Sequence, residues 1–208
     1  MFLSISWLDT IRAGIGSWRA LAILVLAISL AGLGAHISST VPGGDLAWDR
    51  MALSQGQAWR LVTGHLVHLN VNHSLMNLAA LALIMTLFGA TFGTLGWLKA
   101  WLGLSLSISL LLLWLDPGLT RYVGASGVLH GLVVLGALRE IRQRPVEALI
   151  LLVGLALKIG WEQMAGPAAS TEALIGGRVI VNAHLYGAIA GLVAGVVLAV
   201  ADRFSTPA

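Results

Sequence analysis

The sequence contains no cysteine among its 208 residues, and it is short of charge. The first absence removes disulfides, thiolate nucleophiles and thiolate metal sites. The second identifies the solvent. Charged residues make up 10% of the chain and apolar residues 58%, whereas soluble domains carry roughly 25% charge. The formal charge of +3 is small and dispersed along the chain, which argues against a nucleic-acid partner. No internal repeat and no separate soluble domain is visible. What the chain does have is a series of apolar stretches, each near the roughly 20 residues that a helix needs to cross a bilayer. The composition defines an all-α polytopic membrane protein.

Six spans are expected. They cover about Ala20 to Ala35, Val71 to Thr91, Leu95 to Leu115, Val123 to Leu138, Val146 to Trp161 and Val179 to Val200. An amphiphilic start with Trp7, Arg12 and Arg19 precedes the first. A long polar loop separates the first two and carries tryptophan and arginine anchors at Trp48, Arg50 and Trp59-Arg60. The basic flank and the small residues of "GLGAHIS" also fit a cleaved signal peptide. The apolar run is long for that, and six spans satisfy the charge rule better than five. With the N-terminus inside, seven basic residues face the cytoplasm: Arg12, Arg19, Lys99, Arg139, Arg142, Arg144 and Arg203. Arg50, Arg60, Arg121, Lys158 and Arg178 face out. The positive-inside rule therefore places both termini in the cytoplasm.

In this orientation the second, fourth and sixth spans all start on the outer side, and each carries polar residues in its first turns. These are His73 and Asn77, Ser126 and His130, and Asn182 and His184. Polar groups inside a membrane are costly and point to function. Ser126 sits between Gly124 and Gly127 at a helix start, in "RYVGASGVLHGL". Such a serine is either an N-cap or a nucleophile, whose oxyanion the free N–H groups and helix dipole would favour. The fourth span has 16 residues, or about 24 Å against a hydrocarbon core of roughly 30 Å, so the serine end should lie below the surface. The non-helical approach "LDPGLTRYV" is tolerable there only if it is buried in protein or lines a wet cavity.

A serine needs a base, and "AHLYGAIAGLVAG" offers His184 above Gly187, Gly191 and Gly195. Gly127 and Gly131 form a matching ridge on the fourth span, and small-residue ridges let helix backbones approach closely. Plain helix packing explains the glycines equally well. No carboxylate lies in the outer turns of these three spans, which suggests a Ser–His dyad. Glu162 is nearest by depth, and an ion pair with Lys158 four residues earlier accounts for it. In "GHLVHLNVNHSLMNL", His73 and Asn77 share one helix face and both can donate to an oxyanion. His65, His68 and His73 can alternatively be read as metal or haem ligands, although a loop-to-helix junction guarantees them no common geometry.

These residues resemble the rhomboid family of intramembrane serine proteases. Its Gly-x-Ser-Gly is matched by Gly124-Ala125-Ser126-Gly127, and its sixth-helix histidine by His184 in "AHLYGAIAG". Its His-rich approach to the second helix resembles "HLVHLNVNHSLMNL", and a Trp-Arg pair in its first outer loop resembles Trp59-Arg60. Many rhomboids have a tyrosine four residues after the serine, where this chain has His130. That departure, with "LKIGWEQMAGP" and the compact length, looks more like the rhombosortases. This bacterial branch is associated with substrates bearing a C-terminal Gly-Gly, an apolar helix and a basic tail. The resemblance implies one rhomboid-like domain over residues 1–208 in a bacterial inner membrane. It implies Ser126 as nucleophile and His184 as base, with His73, Asn77 and the Ser126 N–H holding the oxyanion. Gly124, Gly127 and His130 would support them, with His130 stacking rather than abstracting a proton. No metal, nucleotide or other cofactor is implied, and the partners are lipid and membrane-anchored protein substrates. Neither "HExxH" nor "GxGD" is present, which disfavours other intramembrane proteases. The alternatives are an inactive relative that binds client helices and a haem- or metal-binding membrane protein.

Overall fold

The computed structural model describes residues 18–32, 43–89 and 91–205, and these are mostly helical. The sequence readings at Trp7, Arg12 and the end of the first span to Ala35 lie outside the described residues. Helix α1 is described over Trp18–Gly32. It buries Ala20, Leu21, Leu24 and Ile28, a stripe at helical spacing, and leaves Trp18, Ile23, Leu26 and Leu30 exposed. Short helices α2 (Arg50–Ser54) and α3 (Arg60–Thr63) lead to α4 (Val71–Leu87), α5 (Thr94–Leu115), α6 (Ser126–Glu140) and α7 (Pro145–Ala165). A short α8 (Ala169–Ile175) and α9 (Val181–Ser205) complete the order.

Helices α5, α7 and α9 are long and apolar enough to cross a membrane, while α1 and α4 are shorter apolar helices. The exposed surface is itself apolar. On α7, Leu149, Ile150, Val153, Leu157, Trp161 and Met164 all point outward. A face of that kind is stable against lipid rather than water. The chain is a multi-pass helical membrane protein. Helix α6 sits inside the bundle against α4, α5, α7 and α9, with its most extensive contact to α9. It is buried almost all round, from Gly127 through Ala137.

Several expectations need adjustment. The fold is mostly helical, with one short antiparallel pairing of Trp48–Asp49 (β1) and Arg121–Tyr122 (β2) that the sequence does not anticipate. Helix α4 ends at Leu87 rather than Thr91, and α6 starts at Ser126 rather than Val123. The first three residues of that expected span are spent on a turn that aims the serine. Trp48, Arg50 and Arg60 are internal pins rather than interfacial anchors. Trp48 is fully buried. The Arg50 guanidinium donates to the carbonyls of Leu112, Leu113, Asp116 and Leu119, closing the C-terminal end of α5. Of these, the Leu113 carbonyl is one that the helix end leaves without a backbone partner in the helix. Arg60 is buried and donates to the Ala47 carbonyl at 2.9 Å.

These pins hold the approach to α6. The Gly124 N–H donates to the Gly64 carbonyl at 2.9 Å, and the Tyr122 hydroxyl donates to the Gly124 carbonyl at 2.6 Å. Burial pushes the Tyr122 phenol up from its ordinary value, so it stays a donor. The segment between α1 and α4 is thereby stitched to the turn that delivers Ser126.

Candidate active site

Ser126 is the first residue of α6, so its backbone N–H and those following have no acceptor within the helix. Gly124 makes this start possible. Its φ of 125° lies in a region that favours glycine, and a Cβ there would fall 2.8 Å from His73 Cε1. His73 therefore packs directly against the backbone turn before the serine.

Helix α9 brings the second residue. Cβ atoms added at Gly127 and Gly131 would meet the Ala183 and Gly187 carbonyl oxygens, each at 2.7 Å. Seen from the other side, Gly187 and Gly191 face the Gly127 and Gly131 carbonyls. Backbone packs on backbone along this seam, and His184 arrives beside the serine. Its Nε2 lies 3.0 Å from Ser126 Oγ, and the His184 side chain is buried.

The expectation of a carboxylate-free site does not hold. Glu162 on α7 reaches across so that its Oε2 accepts from His184 Nδ1 at 2.8 Å. The i,i+4 pair with Lys158 is present as well, at 2.6 Å through Oε1. The carboxylate comes from the fifth apolar segment, where by sequence the ion pair with Lys158 alone is sufficient to account for it. His130 stacks on His184 with ring centroids 4.1 Å apart and an interplanar angle of 11°. Its Nδ1 donates to the Ser126 carbonyl at 2.7 Å.

His73 and Asn77 line the same cleft, which has a volume of about 550 Å³ and also contains Ser126, His130, Glu162 and His184. The Leu69 N–H donates to His73 Nδ1 at 3.3 Å, which leaves the ring proton on Nε2, the side nearest Gly124. The Asn77 amide donates to the His73 carbonyl at 2.9 Å and retains a second N–H. Asn182 does not join the cleft. It bonds Asp116 at the end of α5 instead.

The other histidines go elsewhere. His65 is fully buried beside Ser109, with Nε2 3.0 Å from its Oγ, and burial pushes it down to about 4. His68 meets His73 edge-on at 4.8 Å. Among the described residues the side chains close enough to share a metal ion are His130, Glu162 and His184, not His65, His68 and His73. The Lys158 ammonium already stands within hydrogen-bond distance of the first two.

Lys158, Tyr122 and α8 also frame the cleft and were missed as site elements. The helix formers of "AASTEALI" between Pro167 and Gly176 were the available signal for α8. No curated protein gives a match to the chain. The family model of the rhomboid domain matches residues 55–201, a segment that includes every residue of the cleft named above. The chain belongs to the rhomboid family, whose members are generally intramembrane serine proteases.

Proposed function

We infer that the protein is an intramembrane serine endopeptidase in which Ser126 and His184 are the reacting pair. The observation that carries this reading is the 3.0 Å approach of Ser126 Oγ to His184 Nε2 at a helix start that faces a cleft. Neutral His184 takes the hydroxyl proton at Nε2 as Oγ attacks the substrate carbonyl carbon. The resulting oxyanion is held by the Ser126 N–H, His73 Nε2–H and the free Asn77 N–H. The imidazolium then gives its proton to the departing nitrogen, and the C–N bond breaks to leave an ester on Ser126. Water, or another acceptor, releases the acyl group by the same steps in reverse.

The wider reading is a six-span domain over residues 1–208 in a bacterial inner membrane with both termini in the cytoplasm. It is supported by the basic loop at Arg139, Arg142 and Arg144. The Ser126 end of α6 then faces outward. Fifteen residues of α6 give about 22 Å, short of a hydrocarbon core of roughly 30 Å, which supports a serine lying below the outer surface. The resemblance of "GASGVLHGL" to the rhombosortase branch supports clients whose C-terminal anchor begins with Gly-Gly. Glycines are poor helix formers, so such a segment unwinds at low cost and presents an extended bond. Co-expression with a reporter bearing that anchor tests the proposal. Processing should occur with the wild type and vanish with Ser126→Ala and with His184→Ala at equal expression. Continued processing by Ser126→Ala would overturn the assignment.

A further inference from the structure

We propose that Glu162 is a positioning residue that holds His184 in the one tautomer able to accept the Ser126 proton, with Lys158 fixing the carboxylate in turn. The inference rests on Ser126 and His184 being the reacting pair.

With both imidazole rings neutral, the hydrogen bonds of the cleft fit one arrangement of protons. His130 Nδ1 lies 2.7 Å from the Ser126 carbonyl, which can only accept, so Nδ1 carries the hydrogen. His130 Nε2 is then an acceptor for the Lys158 ammonium at 3.1 Å. Both His130 nitrogens are thereby occupied, and neither serves Ser126 Oγ. Lys158 also donates to Glu162 Oε1 at 2.6 Å, leaving Oε2 to accept from His184 Nδ1 at 2.8 Å. With its hydrogen on Nδ1, His184 directs the Nε2 lone pair at Ser126 Oγ. The opposite tautomer would set a ring lone pair against a carboxylate, and its Nε2–H would donate to Ser126 Oγ instead of accepting the serine proton. When His184 takes the serine proton, the imidazolium forms beside a carboxylate already in place.

An ordinary surface ion pair on α7 does not account for this. Such pairs contribute little and leave both groups solvated. Here the Lys158 side chain is 47% exposed but Glu162 only 13%, turned inward across the interface to a histidine 22 positions away. A carboxylate on a helix whose other faces meet lipid needs partners, and beside Lys158 on its own helix the partner it finds across the interface is His184.

The test uses the purified full-length protein and a fluorophosphonate, whose phosphorus is attacked by Ser126 Oγ with loss of fluoride. It therefore requires no knowledge of the natural client. The proposal expects Glu162→Gln to lower the maximal labelling rate by at least about 10-fold while the concentration for half-maximal rate stays within about twofold, since orientation of the base is lost rather than probe binding. Glu162→Asp should recover part of that loss, and Lys158→Met should cause a smaller one. A folded Glu162→Gln protein that labels at the wild-type rate would overturn the proposal. If Glu162→Gln does not fold, Glu162→Ala, which also lacks the carboxylate, decides, and a maximal rate equal to wild type overturns it equally. Ser126→Ala runs in parallel. Labelling that persists in Ser126→Ala would mean that the reacting pair itself is wrong, whereas loss there with no effect at Glu162 would remove only the present inference.

Discussion

Gly187 faces the Gly127 carbonyl so closely that a side chain of any kind at Gly187 would collide with the backbone of α6. The seam between α6 and α9 is thus the mechanical basis of the Ser126–His184 approach, three residues from His184 and one from Ser126. Overpacking a tight interface typically costs about 1–3 kcal/mol, and here the obstacle is backbone rather than a flexible side chain.

Gly187→Val should therefore lower the thermal midpoint and abolish activity together, although Gly187 touches no substrate in the proposed mechanism. Gly154→Ala on α7 is the control. A Cβ there meets nothing within 4 Å, and exchanging a mid-helix glycine for alanine favours the helix by about 1 kcal/mol. Thermal unfolding of the two variants in one detergent should move in opposite directions. A stable, active Gly187→Val protein would contradict the packing account.

His73→Ala and Asn77→Ala should each slow turnover without eliminating it. Removing one oxyanion donor costs about 2.7–4 kcal/mol in well-characterised cases, and the Ser126 N–H would remain. Gly124→Ala should act in the same direction, because its Cβ would press on the His73 ring. Steady-state kinetics on a cleavable reporter would show the loss in kcat. Full activity in the His73→Ala/Asn77→Ala double variant would mean that the pair is structural only.

The proposed preference for small residues at the scissile segment gives a third expectation. Replacing Gly-Gly by Leu-Leu in the reporter anchor should block processing, since leucine keeps the segment helical and fills the space beside the sunken serine. Release of the reporter's outer domain can be followed by immunoblot. Equal processing of both reporters would remove the specificity while leaving the protease reading intact.

Some of this architecture is legible in the sequence and some is not, for identifiable reasons. The glycine spacing of "SGVLHG" and "AHLYGAIAG" is a local signal for one particular helix pair, and the structure shows α6 and α9 in backbone contact. The stacking of His130 on His184 follows from the same logic, being one turn along the helix that carries the serine. Glu162 stands out by depth, but the ion pair with Lys158 accounts for it in the sequence, because i,i+4 spacing is visible in one dimension and the approach of α7 to α9 is not. Trp48 and Arg50 look like interfacial anchors by residue type. Their burial and carbonyl partners depend on a loop folding back on the end of α5, which no periodicity encodes. Asn182 shares its depth with His184 but points toward Asp116, since depth along a helix does not fix the face.

The most direct test of the central claim is fluorophosphonate labelling of the purified protein, comparing wild type with Ser126→Ala and His184→Ala. The account predicts covalent labelling of the wild type at Ser126, identified by mass spectrometry of the modified peptide. It predicts none in Ser126→Ala and a severe loss in His184→Ala, with all three proteins equally folded. Labelling of Ser126→Ala at the wild-type level, or a folded wild type that does not label at all, would contradict it.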